Sequence, residues 1–334
     1  MTAVQEIVDD VRARGLDAVR EWAVQLDGAG PARATPGGDV PRAAILALAD
    51  RVRRWHEAQR PQDLRVEIEP GVELARRWEP LDSVGVYVPR SLISTLVMCA
   101  VPAQAAGIRR IVVVTPPAGA PLVAAAAELL GIDEVWALGG PHAIAWLAYV
   151  ERVDKIVGPG NQYVNEAKLI VSRDVAIDLP AGPSEVVVVL GRGGDRTIAE
   201  LELAAQREHG HDATCEIVDG VDLEAALARV EELAPEHVML LGEAESLAPR
   251  IRNAGAVFVG ASSPVATGDY ATGGNHVLPT GRWARSSGGL GLETFLKPVT
   301  VQRLTPEGLA LVRPTVEALA AAEGMTAHAA AVQR

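Results

Sequence analysis

Residues 153–171 read VDKIVGPGNQYVNEAKLIV. The first five hold a short β-branched strand, Val153–Val157. The turn Gly158-Pro159-Gly160 stops it, and a helix pattern runs from Asn161 to Val171. Strand, glycine turn and helix in that order are the signature of a βαβ unit. The same rhythm repeats upstream. Val84–Val88, Ile111–Val114 and Val135–Leu138 are apolar runs, followed by helix patterns at Val97–Ala106, Pro121–Leu130 and Ile144–Tyr149. Runs of this kind, without alternation, mark strands of a parallel sheet covered on both faces.

A second series follows. Val186–Leu190, Thr214–Val218, Val238–Leu241 and Ala256–Val259 read as strands. Arg196–Gln206 and Leu223–Leu233 read as helices, and Leu247–Asn253 continues the rhythm. The expected fold is α/β with two Rossmann-like parallel-sheet halves. The expected domains are 84–182, then a discontinuous domain of 1–83 with 183–285, then a helical C-terminal tail at 286–334. The grouping rests on placing the N-terminal helices with the second half. Residues 63–80 alternate weakly and suit a strand or two.

The chain has 334 residues, 49% hydrophobic and 22% charged, with a net charge of −12. That much apolar surface supports a folded core. The acidic balance and only 4% aromatics argue against nucleic acid and anionic membrane as partners. No apolar run reaches the ~20 residues that span a bilayer. The start is an acidic amphipathic pattern, unlike a signal peptide. Cys99 and Cys215 form no CxxC, which argues against a thiolate metal site. A cytoplasmic protein is expected. Only Lys155, Lys168 and Lys297 occur among 31 basic residues.

Several segments carry chemistry. The turn Gly158–Asn161 suits an anion at a helix N-terminus, or is simply a tight turn. Gln206 and His209 lie at i and i+3 on one helix face. They suit an N/O metal site, or a helix end whose histidines meet the dipole. Glu236 and His237 stand at the mouth of an apolar strand, where charge must be paired or useful. Residues 268–276 crowd Asp269, Asn275 and His276 among glycines.

Taken in order, the chain resembles the histidinol dehydrogenase family. The segments are VGVYVP (84–89), STLVMCAVPAQAAG (94–107), VDKIVGPGN (153–161), EAK (166–168) and IDLPAGPSE (177–185). QREH (206–209), APEH (234–237), NAGAVFVG (253–260), GDYATGGNHVLPT (268–280) and EGMTAH (323–328) complete the series. The resemblance implies zinc- and NAD-dependent oxidation of an amino alcohol such as L-histidinol to the carboxylate through an aldehyde. By resemblance Gln206, His209, Asp269 and His328 hold the zinc, and Glu236 and His237 are catalytic. Ser184, His276 and Glu323 meet substrate; Tyr87 and Asn161 meet the cofactor. The family forms an intertwined homodimer, in which Glu323 and His328 would reach the partner's site.

The chain also departs from the family pattern. It is shorter, and only 30 positions separate Gln206 from Glu236. Arg90-Ser91 stands where the family has a glycine pair. Pro141-His142 stands where the family has Ala-Gln, so His142 becomes the third cofactor-side candidate. Added positive character there keeps NADP open beside NAD. The departures also leave open a divergent paralogue that oxidises another small alcohol, such as a sulfonated diol.

Overall fold

The computed structural model describes residues 2–180, 182–208, 210 and 212–333. In chain order the elements begin with α1 (Ala3–Arg14), α2 (Leu16–Leu26), β1 (Ala32–Arg33), α3 (Arg42–Glu57), β2 (Leu64–Glu69) and β3 (Val72–Pro80). Then come β4 (Ser83–Tyr87), α4 (Ile93–Ala106), β5 (Arg110–Thr115), α5 (Ala120–Leu129), β6 (Glu134–Ala137), α6 (Gly140–Tyr149), β7 (Lys155–Val157), α7 (Gln162–Val171) and β8 (Ala176–Ile177). The second series is β9 (Glu185–Leu190), α8 (Arg196–Arg207), β10 (Thr214–Asp219), α9 (Leu223–Leu233), β11 (His237–Leu241), β12 (Ala256–Val259) and α10 (Val265–Tyr270). A 3-10 segment, Gly242–Arg250, joins β11 to β12. The chain ends with β13 (Leu296–Leu304), α11 (Pro306–Ala322) and α12 (Thr326–Ala331).

Two compact units divide the chain: Met1–Gln59 with Leu81–Phe295, and Arg60–Pro80 with Leu296–Arg334. The first holds both parallel sheets. Its six-stranded sheet has the order β1-β6-β5-β4-β7-β8. Only β1 runs antiparallel to its neighbour. The strand order reverses at β4, and the place outside the carboxyl ends of β4 and β7 is where sheets of this order bind ligands. Apolar side chains cover β4 and β5 on both faces. Helix α4 is buried nearly all round and ends at Gly107, whose left-handed φ of 97° closes the last turn.

The four-stranded sheet has the order β10-β9-β11-β12 and is wholly parallel. One face packs Val187, Val189, Val238 and Leu240 against α9 residues Ala226 and Val230. The other packs Val186, Val188 and Met239 against Ala199, Leu203 and Val265. Each β-branched run is thus buried twice, which is why it reads as continuous rather than alternating.

The helices α1 and α2 depart from the expected grouping. Val4, Val8, Val11 and Val19 share one core with Ile144, Trp146, Val164 and Val171. They therefore cover α6 and α7 on the first sheet rather than joining residues 183–285. Their apolar stripes show that they need a partner and do not say which one.

The second unit has a three-stranded antiparallel sheet, β13-β3-β2, with Leu296 opposite Pro80 and Leu304 opposite Val72. The 286–334 region is therefore not wholly helical: β13 takes nine of its residues. Pro298 inside that strand and its mostly exposed side chains hid the strand signal. Thr305 caps α11 by accepting from the Gly308 N–H. Among the described residues no helix is long and apolar enough to cross a membrane.

Candidate active site

Asp178 follows the carboxyl end of β8, and Ser184 precedes the amino end of β9. There Glu185 opens β9, and Glu236-His237 opens β11. The two strands are parallel neighbours, with His237 in register with Val186. Glu185 and Glu236 consequently sit side by side. The Glu185 N–H donates to Glu236 Oε2 at 2.9 Å, and the Glu236 N–H donates to Glu185 Oε2 at 3.2 Å. Glu185 Oε1 also accepts from the Gly281 N–H at 3.0 Å.

His237 Nδ1 lies 2.9 Å from the Glu185 carbonyl oxygen. A carbonyl only accepts, so Nδ1 carries the proton and neutral Nε2 keeps its lone pair. Burial is the main force pulling the His237 pKa down; Asp269, the Glu185 carbonyl, Glu185 and Glu202 oppose it. Burial also pushes Glu236 up to about 8, against the Glu185 N–H and the Ser184 hydroxyl; the charges of Asp269 and Glu185 push it further up. A neutral imidazole and a carboxyl titrating near neutrality thus lie together, with Nδ1 and Oε2 3.5 Å apart. Perturbed acid–base pairs of this kind mark functional sites.

Three further elements supply polar groups. Gln206 lies in the last turn of α8 and is buried, and its Nε2 has no hydrogen-bond partner among the described residues. Asp269 is buried on α10. His276 follows in the next loop, its Nδ1 3.9 Å from Asp269 Oδ1 and its Nε2 3.5 Å from Thr95 Oγ1 on α4. Asn275 fixes that loop by donating to the Met98 carbonyl at 2.6 Å and accepting from the Val277 N–H at 2.9 Å. Ser184 is half-buried beside Glu236. Ser184, Glu236, His237, Asp269 and His276 are thus linked to one another by hydrogen bonds or charge.

His209 lies outside the described residues, as does His211. Glu323 closes α11 and His328 stands on α12, both exposed, in the second unit. Among the described residues no three His, Cys, Asp or Glu side chains cluster as a metal site. Gln206 and Asp269 are the members of the expected metal set described in the first unit. Their chemistry, a buried side chain with an amide oxygen and a buried carboxylate, fits a cation that takes oxygen donors.

The residues expected on the cofactor side stand around β4, α6 and α7. Tyr87 is buried, and its hydroxyl accepts from the Gly140 N–H at 3.4 Å; burial raises its pKa to about 12. His142 is fully buried, its Nε2 3.0 Å from Asp27 Oδ2, which also accepts from the Gly139 N–H at 2.8 Å. Both hold the α6 N-terminus in place. Asn161 is exposed and caps α7, accepting from the Tyr163 and Val164 N–H groups at 3.1 Å. Beneath that turn the buried Lys168 ammonium donates to Asp178 and to the Gly158 carbonyl at 2.8 Å, while Asp178 accepts from the Gly158 N–H at 2.7 Å.

Sequence reasoning missed Asp27, Glu185 and Glu202 as site-shaping acids. A signal existed for Glu202, which lies four residues before Gln206 on the same helix face.

Two doubly wound parallel sheets, with a buried acid–imidazole pair at the start of the second, define an α/β oxidoreductase. Residues 1–221 and 215–334 match the histidinol dehydrogenase family model. A histidinol dehydrogenase from Haloarcula marismortui is 40% identical, the alignment covering 99% of this chain and 92% of the relative. One from Thermococcus kodakarensis is 39% identical, covering 97% and 96%. The crystal structure of histidinol dehydrogenase from Elizabethkingia anophelis superposes with a TM-score of 0.90 at 30% identity, covering 98% of this chain and 90% of that one. The chain belongs to the histidinol dehydrogenase family. The Haloarcula alignment spans 390 positions, so that relative carries segments this 334-residue chain lacks.

Proposed function

We propose that this chain oxidises L-histidinol, or an amino alcohol very like it, to the carboxylate through the aldehyde. The acceptor is NAD and the site holds zinc. The observation that carries the reading is the Glu236–His237 pair, buried together at the start of β11, with the Glu236 carboxyl pushed up and the imidazole pulled down by burial, and the Asp269 charge acting on both. Family membership supplies the substrate class and the acceptor.

Zinc, when bound, supplies a cation that anchors and polarises the substrate, and NAD supplies the hydride acceptor. Gln206 and Asp269 would hold the zinc, with His209 and His328 completing the set. The place outside the carboxyl ends of β4 and β7 suits the dinucleotide, with exposed Asn161 beside it.

The chain's own residues then divide the proton work. His237 Nε2 takes the alcohol proton during the first oxidation, because Nδ1 is pinned to the Glu185 carbonyl. Burial keeps the imidazole neutral and ready to accept. Water then adds to the aldehyde. Glu236, its pKa raised to about 8, shares the removal of the water proton with His237 once its own proton has left. A second hydride leaves the hydrate. In sum the alcohol, one water and two NAD become the carboxylate, two NADH and three protons. Ser184 and His276 border the space where the substrate would lie.

The reading includes a homodimer in which Glu323 and His328 complete the partner's site, and a cytoplasmic setting. Light scattering checks the first. The central test is absorbance of reduced nicotinamide from zinc-loaded protein with L-histidinol and NAD, then NADP. Two reduced cofactors per histidinol are expected, with NAD preferred. Folded, zinc-replete protein that reduces neither cofactor overturns the proposal.

A further inference from the structure

Glu202 is a buried acid flanked by apolar side chains. It shares the inward face of α8 with Ala199, Leu203 and Gln206. Leu203 and Ala199 there join Val186, Val188, Met239 and Val265 in a core. No lysine or arginine among the described residues pairs with it. Filling this space would need only a leucine or methionine, so a carboxylate here calls for a polar task.

The task is visible in its hydrogen bond. Glu202 Oε2 accepts from the Val265 N–H at 3.1 Å. Val265 is the first residue of α10, so this N–H has no acceptor within its own helix. The bond ties α8 to α10. Gln206 lies four residues beyond the tie on α8, and Asp269 lies four residues beyond it on α10. One helical turn therefore separates each side chain from the same anchor.

We propose that Glu202 is a positioning residue that sets Gln206 and Asp269 against each other so that both reach one zinc ion. The inference rests on the reading of Gln206 and Asp269 as zinc-holding residues.

The test is zinc affinity of the full-length protein, measured by competition with a chromogenic chelator. Glu202→Met keeps the side-chain volume and loses the acceptor; it should weaken zinc 10- to 100-fold, the usual effect of losing a partner that orients a ligand. Glu202→Gln keeps an oxygen acceptor and should stay within about threefold of wild type. Val265→Pro removes the donor at a helix position that tolerates proline, and should weaken zinc as Glu202→Met does. It keeps the question answerable should the methionine variant not fold. Asp269→Ala tests the underlying reading and should lose zinc. If Asp269→Ala loses zinc but Glu202→Met and Val265→Pro bind it as wild type does, Glu202 only packs and the proposal falls. If Glu202→Gln weakens zinc as much as Glu202→Met, the hydrogen bond is not the agent and the proposal falls. If Asp269→Ala binds zinc normally, the metal reading falls and takes this inference with it.

Discussion

Glu185 and Glu236 hold each other by exchange: each carboxylate accepts from the other residue's backbone N–H, at 2.9 and 3.2 Å. Two acids thus stand at neighbouring strand starts, and among the described residues no lysine or arginine pairs with either. Burial, with the charges of Asp269 and Glu185, pushes the Glu236 carboxyl up to about 8.

A stability test follows from that shift. The folded protein raises Glu236 from the ordinary glutamate range to about 8. Between about pH 4.5 and 8 the folded state holds a proton that the unfolded chain has released. Stability from this group is full below about 4.5 and is lost as pH rises through 8. Urea midpoints at pH 5.5 and 8.5 should therefore fall more for wild type than for Glu236→Gln. The difference should be a few kcal/mol, on the order of 1.4 kcal/mol per unit crossed. Buried His237 titrates oppositely, losing stability as pH falls, and is common to both proteins. Equal slopes would show that Glu236 ionises normally.

His237→Asn separates base from ligand. The imidazole accepts the alcohol proton in the proposed reaction and belongs to no metal set. Turnover should drop by about 10²–10⁴, the usual worth of a general base. Zinc content should stay at the wild-type value. Unchanged kcat would remove His237 from the proton path, and lost zinc would reassign it as a ligand.

The parallel strands were legible because a short β-branched run between glycine turns and helix patterns suits little besides a strand buried on both faces. Val186–Leu190 and Ile111–Val114 fall inside the observed β9 and β5. The partners of α1 and α2 were not legible, since an amphipathic stripe names no counterpart. The chemistry of Glu236-His237 was suggested by charge at the mouth of an apolar strand. Its strength was not, because it depends on Glu185, which meets the pair only through the register of β9 and β11. Tyr87 and His142 show the converse. Their motif positions pointed to a cofactor, while the fold buries both side chains against the α6 N-terminus.

Lys168 explains why an arginine-rich chain keeps a lysine there. Its ammonium is buried with Asp178, and the pair holds both backbone groups of Gly158. A compact ammonium on a flexible stem fits where a planar guanidinium does not. Lys168→Met should destabilise by about 3–5 kcal/mol, because it strands a buried carboxylate. Lys168→Arg should also destabilise despite conserving charge. The double variant Lys168→Met with Asp178→Leu should recover part of the loss. Urea denaturation reads all three, and a silent Lys168→Arg would show room that the buried geometry does not leave.

Gly158 is where the strand-to-turn reading becomes a backbone requirement. Its φ is 112°, and a Cβ there would lie 2.2 Å from the Tyr87 carbonyl oxygen. Backbone, not a flexible side chain, blocks it, so neighbours cannot yield cheaply. Gly158→Ala should cost more than about 2 kcal/mol, from strain at positive φ together with displaced strand β4. Gly193 gives the matched control: its φ is 76°, yet a Cβ added there would meet no atom within 4 Å. Gly193→Ala should cost only the conformational part, about 1 kcal/mol. Equal losses at the two positions would mean that strain alone sets the penalty. A larger loss at Gly158 ties the glycine to the close approach of β4 and β7, the edge proposed for the dinucleotide.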